Sequence, residues 1–402
     1  MRYFFLFIVV FGMSTLHSQI NYKGKLIDSV TNEPIAFANI YNTEAKQGTY
    51  SNSEGEFSFF VNNNIQHITI SYLGYKTLEV PISSLEKEKI NTILFTQEDY
   101  LLEEIIVTDK PLNTIIEGLI ENSQKELERN VKLETYYREF VKINDQYSKF
   151  ADGLVDYYLK PKRKDKVKAK VIVNESRAFE LVKEENLETK GTISSSLNSL
   201  YNFKDATDDF FSFNTIETYL SKTKTSEEYD FNIKRKVSED GREIEIIEVK
   251  PLPEIEKLLI EGYIVYDAKK KLILEYDLKV SEHHKKYSQL KNMILFKGKL
   301  NDFSLKVSFK NENDKYIPNY KKISFDFYLK FGKMVNDNLS GTSDVLINHY
   351  QDDNVIFPHK DLFYEEHSLY ENGKNYTTEF WKTNKAMPLS QKEETILESI
   401  KN

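Results

Sequence analysis

The sequence predicts a mainly β protein, in which a small N-terminal β-sandwich precedes a larger α+β domain built on a curved antiparallel sheet. Three observations support this prediction. Short alternating apolar and polar stretches, broken by turn residues, run from residue 20 to about 107. Longer alternating stretches occupy much of the chain beyond residue 130. The chain has 402 residues, which is more than one ordinary hydrophobic core accommodates, so two domains are expected.

The first 19 residues have the order of a secretory signal peptide. Arg2 is the one charged residue among them, an apolar run follows over residues 3–13, and small or polar residues come next. The run is well short of the roughly 20 residues that a membrane-spanning helix needs. We expect cleavage near Ser18 or Gln19 and therefore export. An uncleaved N-terminal anchor is the alternative, and no other segment is apolar enough to span a membrane.

Composition excludes several classes of protein. Cysteine is absent, which excludes disulfides, thiolate metal sites and a lipidated cysteine after the signal peptide. The 55 Lys and Arg residues against 63 Asp and Glu residues give a net charge of −8, so no general attraction to nucleic acid or anionic lipid is expected. The 26 Tyr and 26 Phe residues can fill packed cores, their commoner use, or line a groove for sugars or acyl chains.

The first domain is predicted to span residues 20–108. Strands at 21–28 and 36–41 flank a turn that contains Pro34, and further strands follow with the same period of two. Gly55 ends the turn Ser53-Glu54-Gly55, where glycine can take the positive φ that other residues resist. One face of each strand is therefore expected to be buried.

Four motifs of this domain closely resemble the carboxypeptidase regulatory-like domain of Bacteroidetes envelope proteins. They are Gly-Lys-Leu-Ile-Asp from Gly24, Glu-Pro-Ile-Ala-Phe-Ala-Asn-Ile from Glu33, Gly-Thr-Tyr-Ser-Asn-Ser-Glu-Gly-Glu-Phe from Gly48 and Ser-Tyr-Leu-Gly-Tyr from Ser71. The resemblance implies a seven-stranded prealbumin-like sandwich, an Ig-like fold that is not itself catalytic. Residues 101–108 resemble the stretch that joins this domain to the plug of TonB-dependent receptors. The rest of the chain is too short for such a receptor, so this segment is predicted to be the last strand and a linker.

The second domain is predicted to span residues 109–402, with helices near 111–130, 192–220 and 391–401. The first helix is predicted to open at Pro111, where the missing N–H of proline carries no penalty, and the last one at a capping box formed by Ser390 and Glu393. Between them, long strands with one apolar and one water-facing side predict a strongly curved sheet or half-barrel. Asp-Gly in residues 239–241 predicts a hairpin.

Parts of this domain also resemble known proteins. Tyr136-Tyr137-Arg138-Glu139-Phe140, together with the late Phe380-Trp381, resembles the body of uncharacterised Bacteroidetes proteins that carry the same N-terminal domain. The hairpin that begins at Gly262 is similar in style to the sheet of periplasmic lipoprotein carriers. Neither resemblance implies a catalytic residue.

No catalytic residue and no cofactor are predicted. None of the seven histidines has Glu three residues later, as a zinc carboxypeptidase requires, and no nucleophile elbow, Walker loop or dinucleotide-binding glycine motif is present. The best metal-ligand candidates are His349, His359, Glu366 and His367, which lie among further carboxylates. Their spacing matches no metal motif and the segment has the composition of a loop, so no metal site is predicted.

The function expected from these observations is that of a non-enzymatic envelope protein that binds or scaffolds. Its partner would be an envelope protein, a glycan or an apolar ligand, and its location the periplasm, the outer membrane or the cell surface. Two alternatives stay open. One is a periplasmic carrier of an apolar ligand held under the curved sheet, and the other is a hydrolase whose site is assembled from distant His and carboxylate residues.

Overall fold

The computed structural model describes most of the chain after the predicted signal peptide. The described residues are 20–42, 47–61, 65–72, 74–87, 89–98, 100–162, 166–180, 202–221, 225–238, 241–292, 297–312, 315–331, 335–369, 376–377, 380–383 and 389–401. They form two compact units, residues 1–96 and 97–402. The predicted signal peptide, residues 1–19, and residues 192–201 of the second predicted helix lie outside the described residues. No described helix is long and apolar enough to span a membrane.

The first unit is the predicted β-sandwich, so the Ig-like part of the predicted fold class is confirmed. Its seven described strands form a three-stranded sheet, in the order β4-β1-β7, and a four-stranded sheet, in the order β3-β2-β5-β6. Leu26, Ile40, Phe59 and Ile68 pack in the core of this unit, each at most 2% exposed. The strands are β1 (Ile20–Asp28), β2 (Asn39–Asn42), β3 (Gln47–Tyr50), β4 (Glu56–Val61), β5 (His67–Ser71), β6 (Leu78–Pro81) and β7 (Ile90–Phe95).

The turn before β4 has the geometry that its sequence predicts. Gly55 has φ of +76°, and a Cβ atom there would lie 2.5 Å from the carbonyl oxygen of Leu26. The Asn52 side chain fixes the turn, because its Oδ1 accepts the backbone N–H groups of Glu54 and Glu56, both at 2.9 Å. A side chain at position 55 would therefore meet both backbone strain and a steric clash.

The second unit is built on one large antiparallel sheet, as predicted. Thirteen described strands belong to it, in the order β20-β11-β10-β9-β19-β18-β17-β15-β14-β13-β12-β8, and β16 pairs with β17. The strands are β8 (Tyr100–Ile106), β9 (Val131–Ile143), β10 (Gln146–Pro161), β11 (Val167–Glu180), β12 (Tyr229–Ser238), β13 (Glu243–Pro251), β14 (Ile260–Asp267), β15 (Ile273–Val280), β16 (Lys291–Asn292), β17 (Lys297–Glu312), β18 (Lys315–Phe331), β19 (Val335–Gln351) and β20 (Tyr376–Thr377).

The division between the units differs from the predicted boundary at residue 108. Strand β8, which the sequence analysis assigned to the end of the first domain, pairs with β12 of the large sheet. Ile106 lies opposite Ile233 and packs against the core of the second unit. A strand can form backbone hydrogen bonds with any sheet edge that lies next to it. The side-chain pattern along β8 therefore does not predict which sheet this strand joins.

The helices of the second unit are short except for the first and the last. They are α1 (Leu112–Glu126), α2 (Asp208–Ser212), α3 (Asn214–Leu220), α4 (Thr225–Glu228), α5 (Phe380–Thr383) and α6 (Gln391–Lys401). α1 begins directly after Pro111, and α6 has the predicted bounds. Within the predicted helix 192–220, the described residues form a 3-10 turn, Phe203–Asp205, and then α2 and α3, which are separated by Phe213 at φ of +51°.

The large sheet has one apolar and one polar face. We call the face that bears Tyr137, Val155 and Val345 the apolar face, and its side chains form one core with residues of α1, α2 and α3. The opposite, polar face bears Arg138, Asp152 and other charged side chains at the alternating positions. The two-faced strands that the sequence predicts are therefore confirmed, and the charged positions are concentrated on one side.

Candidate functional site

A row of polar side chains crosses the polar face from one strand to the next. The residues lie directly opposite one another in the strand register, so they form one line across ten strands, which we call the charged ladder. It runs, from β11 to β12, through Arg177, Asp152, Arg138, Asp344, Lys322, Lys306, Asp277, Tyr263, Glu248 and Asn232. Because directly opposed side chains on one face interact, each carboxylate of the ladder has a cationic or polar neighbour.

Burial changes along the charged ladder. Asp152 is fully buried and Arg138 is 3% exposed, whereas Glu248 is one-third exposed and Asn232 lies at the surface. The buried end lies beneath the C-terminal segment, where Leu389 and Leu397 pack on aromatic side chains of the sheet. Charges that are buried in this way need partners with good geometry, since otherwise their desolvation would destabilise the fold.

Arg177 and Asp152 make the best-aligned ion pair of the ladder. The Arg177 Nε and Nη2 atoms donate to the two Asp152 carboxylate oxygens at 2.7 and 2.8 Å, and the Tyr136 hydroxyl donates to Asp152 Oδ2 at 2.7 Å. Burial and the negative charge of Asp152 raise the pKa of Tyr136 well above its ordinary value. The Arg177 guanidinium also lies 4.7 Å from the ring centre of Trp381 and 5.3 Å from that of Phe150.

Arg138 joins the ladder to the C-terminal helix. Its Nη2 atom lies 3.1 Å from Asp344 Oδ2, and its Nη1 atom lies 3.4 Å from Glu393 Oε2 on α6. The Tyr320 hydroxyl donates to the other Asp344 oxygen at 2.6 Å. Burial by itself lowers the pKa of Arg138, but the Asp344 and Glu393 carboxylates raise it above its ordinary value. The guanidinium is therefore charged at any pH the fold tolerates.

A groove of about 230 Å³ lies beside the charged ladder on the same face. Two further cross-strand rows form its floor: Phe140, Thr342, Ser324 and Ser304, and next to them Lys142, Ser340, Asp326 and Asp302. Tyr147 lines it as well, with its ring 5.8 Å from that of Phe140 and 4.5 Å from the Lys142 ammonium.

The polar groups of the groove differ in how far they are already paired. Asp302 lies 2.9 Å from the Lys285 ammonium, and Asp326 accepts a hydrogen bond of 2.8 Å from the Asn301 side chain. Among the described residues, no partner exists for the hydroxyl groups of four groove residues, namely Ser304, Ser324, Ser340 and Thr342. These hydroxyls can both donate and accept hydrogen bonds, so the groove has several closely spaced polar groups that are available to hydrogen-bond a ligand.

A second polar cluster lies on the apolar face. The buried Lys321 ammonium lies 2.6 Å from Asp209 Oδ2 and donates to the carbonyl oxygen of Ala206 at 3.0 Å. Partial burial, together with the nearby negative charges of Asp205 and Asp209, raises the pKa of Asp208 to about 6, while Lys321 and Lys166 oppose that shift. The pairing of Lys321 with Asp209 is not predicted from the sequence, because the two residues are 112 positions apart in the chain.

The four metal-ligand candidates named from the sequence do not form a metal site within the described residues. No three His, Asp or Glu side chains of that part of the chain are placed to hold a metal ion. His349 lies on β19 opposite Glu134, His359 makes a surface pair with Asp361 at 3.1 Å, and Glu366 and His367 are exposed. The segment between them runs as a surface loop, so residues close in sequence point to different surroundings.

Neither the charged ladder nor the groove is predicted from the sequence. A partial signal does exist, because Arg138 and Asp152 are charged residues in the middle of long strand sequences that also contain several aromatic residues. Their pairing depends on the register of strands that are far apart in the chain: Arg138 and Asp344, for example, are 206 residues apart. Periodicity along one strand does not contain that register.

Comparisons with known proteins identify one part of the chain. No curated protein matches the chain. Among solved structures, a DUF1329 family protein from Desulfovibrio piger ATCC 29098 is similar at 9% identity and a TM-score of 0.25, over 63% of this chain and 99% of that chain. Residues 22–107 match the family model of the CarboxypepD_reg-like domain, so the resemblance found in the motifs of the first unit is confirmed at the level of that domain.

Proposed function

We propose that the protein is a non-enzymatic binding module of the cell envelope, and that the groove on its polar face holds a polyhydroxylated ligand such as a glycan. The observation that carries this proposal is the floor of the groove, where four hydroxyl groups without a partner among the described residues lie in two adjacent rows. A binding site is usually a concave region in which a few convergent polar groups fix the ligand, and the groove has that form.

The chemistry of the groove suits an uncharged ligand rich in hydroxyl groups. Sugar hydroxyls donate and accept hydrogen bonds, as serine and threonine hydroxyls do, and carboxylates such as Asp326 accept from them. Lys142 lies in the same row as Asp302 and Asp326, and Lys285 lies 2.9 Å from Asp302 and 2.6 Å from Glu282. The groove therefore carries charges of both signs and has no single-sign surface that would select an ionic ligand. The Tyr147 side chain, which lines the groove and is partly exposed, adds the apolar contact that the ring carbons of a sugar require.

The alternative of a carrier for an apolar ligand has less support. A carrier needs an apolar cavity against its sheet, but the apolar face is filled by the protein's own helices. Ile116 of α1, Phe210 of α2 and Ile216 of α3 belong to the core on that face and are at most 1% exposed. An apolar ligand would have to displace these helices, and it would lose their burial energy in doing so.

The hydrolase alternative rests on His349, His359 and Glu366. Two of these side chains are exposed, and the described residues bring no third ligand to them. The proposed location in the envelope rests on the signal-peptide pattern of residues 1–19. The envelope, with its polysaccharides, is also where a glycan ligand would be encountered.

Binding of uncharged oligosaccharides to the purified protein tests this proposal. A panel of gluco-, manno- and N-acetylglucosamine oligomers is titrated calorimetrically into the wild type and into Ser324→Leu, which fills the middle of the groove. Asn232→Leu is the matched control, because Asn232 is exposed on the same face at β12. We expect at least one oligomer to bind, Ser324→Leu to weaken it more than tenfold, and the control to bind as the wild type does.

Two results would contradict the proposal. Binding that survives Ser324→Leu, or no binding across the panel, would exclude the groove as a glycan site. Release of shortened oligomers during the titration, detected chromatographically, would exclude the non-enzymatic part of the proposal.

A further inference from the structure

The C-terminal helix α6 contributes a carboxylate to the buried end of the charged ladder. Glu393 Oε2 lies 3.4 Å from Arg138 Nη1, whereas the carboxylate partners within the sheet lie at 2.7 to 3.1 Å from their arginines. The same Glu393 oxygen also accepts the backbone N–H of Ser390 at 2.7 Å, as part of the capping box of α6. The Arg138–Glu393 contact is therefore the longest ion pair in this cluster, and its carboxylate is shared.

The Arg138 guanidinium has a second carboxylate partner only when α6 is in place. The three cations Arg177, Arg138 and Lys322 follow one another in the ladder with the two carboxylates Asp152 and Asp344 between them. Burial raises the pKa of Asp344, but the charges of Arg138 and Lys322 lower it below its ordinary value. Without Glu393 the Nη1 end of the buried Arg138 guanidinium would lose its carboxylate partner, and a buried cation that is left partly unpaired attracts an anion.

The packing of α6 on the sheet is modest in extent. Of its described side chains, Leu397 is buried, and Leu389 precedes the helix in the same apolar cluster with Phe140 and Phe150. An isolated helix of 11 residues is marginal in water, so α6 depends on these contacts. Nearby, Trp381 is 6% exposed, and its indole N–H has no hydrogen-bond partner within the described residues. The segment that packs over Arg138 and Arg177 therefore contains one buried hydrogen-bond donor, the Trp381 indole N–H, that is not satisfied by the described residues.

We propose that Arg138 is an anion-binding site that Glu393 occupies in this structure, and that a ligand bearing a carboxylate or phosphate group displaces Glu393 together with α6. The guanidinium keeps its in-sheet partner Asp344, while its Nη1 atom passes from Glu393 to the incoming anion. A planar guanidinium binds carboxylate and phosphate oxygens equally readily, so both groups share this chemistry. Binding of the anion would then be coupled to release of the C-terminal segment.

The single tryptophan of the chain provides the readout. Trp381 lies against Arg177, and its ring is 6.3 Å from that of Tyr136. Its fluorescence emission should therefore change when the packing of the C-terminal segment over the arginines changes. Succinate and inorganic phosphate are titrated separately into the purified protein at constant ionic strength. The two arms distinguish a carboxylate ligand from a phosphate ligand, and hydrogen exchange of residues 391–401 reports release of α6.

Glu393→Gln is the decisive variant, because glutamine at this position can still close a capping box but has no charge to offer Arg138. Glu394→Gln is the matched control, since it removes the same charge from the exposed side of the same helical turn. We expect Glu393→Gln to bind one of the two anions about tenfold more tightly than the wild type does, and Glu394→Gln to bind it as the wild type does.

Three outcomes would overturn the proposal. The first is equal affinity in the wild type and both variants. The second is a change in Trp381 emission in Glu393→Gln that neither anion alters, which would show that Glu393 only holds the helix down. The third is anion binding without faster exchange in residues 391–401, which would show that α6 is not displaced. Loss of glycan binding in the groove would leave each of these results unchanged.

Discussion

Arg177 and Asp152 lie directly opposite each other on β11 and β10, and the Arg177 guanidinium donates one hydrogen bond to each oxygen of the Asp152 carboxylate. Asp152 is fully buried, so this pair is isolated from the solvent that screens most ion pairs. A buried pair of this kind is sensitive to the loss of either partner, since the remaining charge keeps its desolvation penalty.

Asp152→Asn is therefore expected to destabilise the second unit by about 3 kcal/mol, because Arg177 stays buried without a carboxylate. Urea unfolding followed by circular dichroism measures the change in the free energy of unfolding. The control is Glu248→Gln at the other end of the ladder, where the ion pair with Lys234 is one-third exposed on both sides and should contribute less than about 1 kcal/mol. Equal effects of the two variants would refute the argument from burial.

Asp208→Asn is expected to stabilise the protein at neutral pH. The pKa of Asp208 is raised to about 6 in the folded state, against about 3.9 in an unfolded chain, so the folded protein binds this proton more tightly. Stability consequently falls as the pH rises from about 4 to 6, and it stays lower above that range. An uncharged asparagine avoids this loss, which we set at about 1 kcal/mol because the side chain is partly exposed.

The test of this expectation is urea unfolding at pH 4 and at pH 7. The difference between Asp208→Asn and the wild type should be present at pH 7 and should disappear near pH 4. Asp230→Asn, at an exposed position of β12, should change the free energy of unfolding by less than about 0.5 kcal/mol at both pH values. A stabilisation that is the same at both pH values would have a cause other than this ionisation.

Leu397→Ala is expected to destabilise the second unit by about 2 kcal/mol. Leu397 is 6% exposed and packs in the apolar cluster of Phe140 and Phe150, so truncation leaves a cavity at the end of the sheet. Calorimetry should show a melting temperature several degrees lower, as it should for deletion of residues 391–402. Glu398→Ala, at the exposed neighbouring position, should melt as the wild type does. An unchanged melting temperature after the deletion would show that α6 is dispensable.

Gly262→Ala is expected to destabilise the large sheet by more than about 2 kcal/mol. Gly262 has φ of +149°, and a Cβ atom there would lie 2.0 Å from the carbonyl oxygen of Asp277 on the neighbouring strand. Gly118→Ala on α1 is the opposite case, because nothing lies within 4 Å of its Cβ position and alanine favours the helix by up to about 1 kcal/mol. Thermal unfolding should show a lower melting temperature for Gly262→Ala and a higher one for Gly118→Ala. A higher melting temperature for Gly262→Ala would contradict the register of β14 and β15.

Much of the fold could be predicted from local patterns. The turn at Gly55, the start of α1 after Pro111 and the capping box of Ser390 and Glu393 are each decided by a few neighbouring residues, and each has the predicted geometry. The predicted helical region over 192–220 is divided into short helices in its described part, and the reason is tertiary. Phe203, Phe210 and Phe213 are all buried in the core of the large sheet, and short helices broken at Phe213 place all three there.

The candidate sites could not be predicted in the same way. Ser324, Thr342 and Ser304 are ordinary polar residues of three separate strands, and they become a groove only when the register places them side by side. The metal-ligand candidates are close in sequence, but the described residues do not bring His349, His359 and Glu366 together as a metal site. Proximity along the chain is a poor guide wherever the contacts of a sheet are long-range.

The sequence by itself determined which segments form strands, which face of each strand is apolar and where the terminal helices begin, because these properties depend on side-chain alternation and on caps within a few residues. Only the tertiary structure decided that β8 joins the large sheet, that ten polar side chains align into the charged ladder, and that Glu393 reaches Arg138. The physical reason is register: a shift of one residue between two neighbouring strands would leave every local pattern intact and would separate the side chains that the ladder pairs across those two strands.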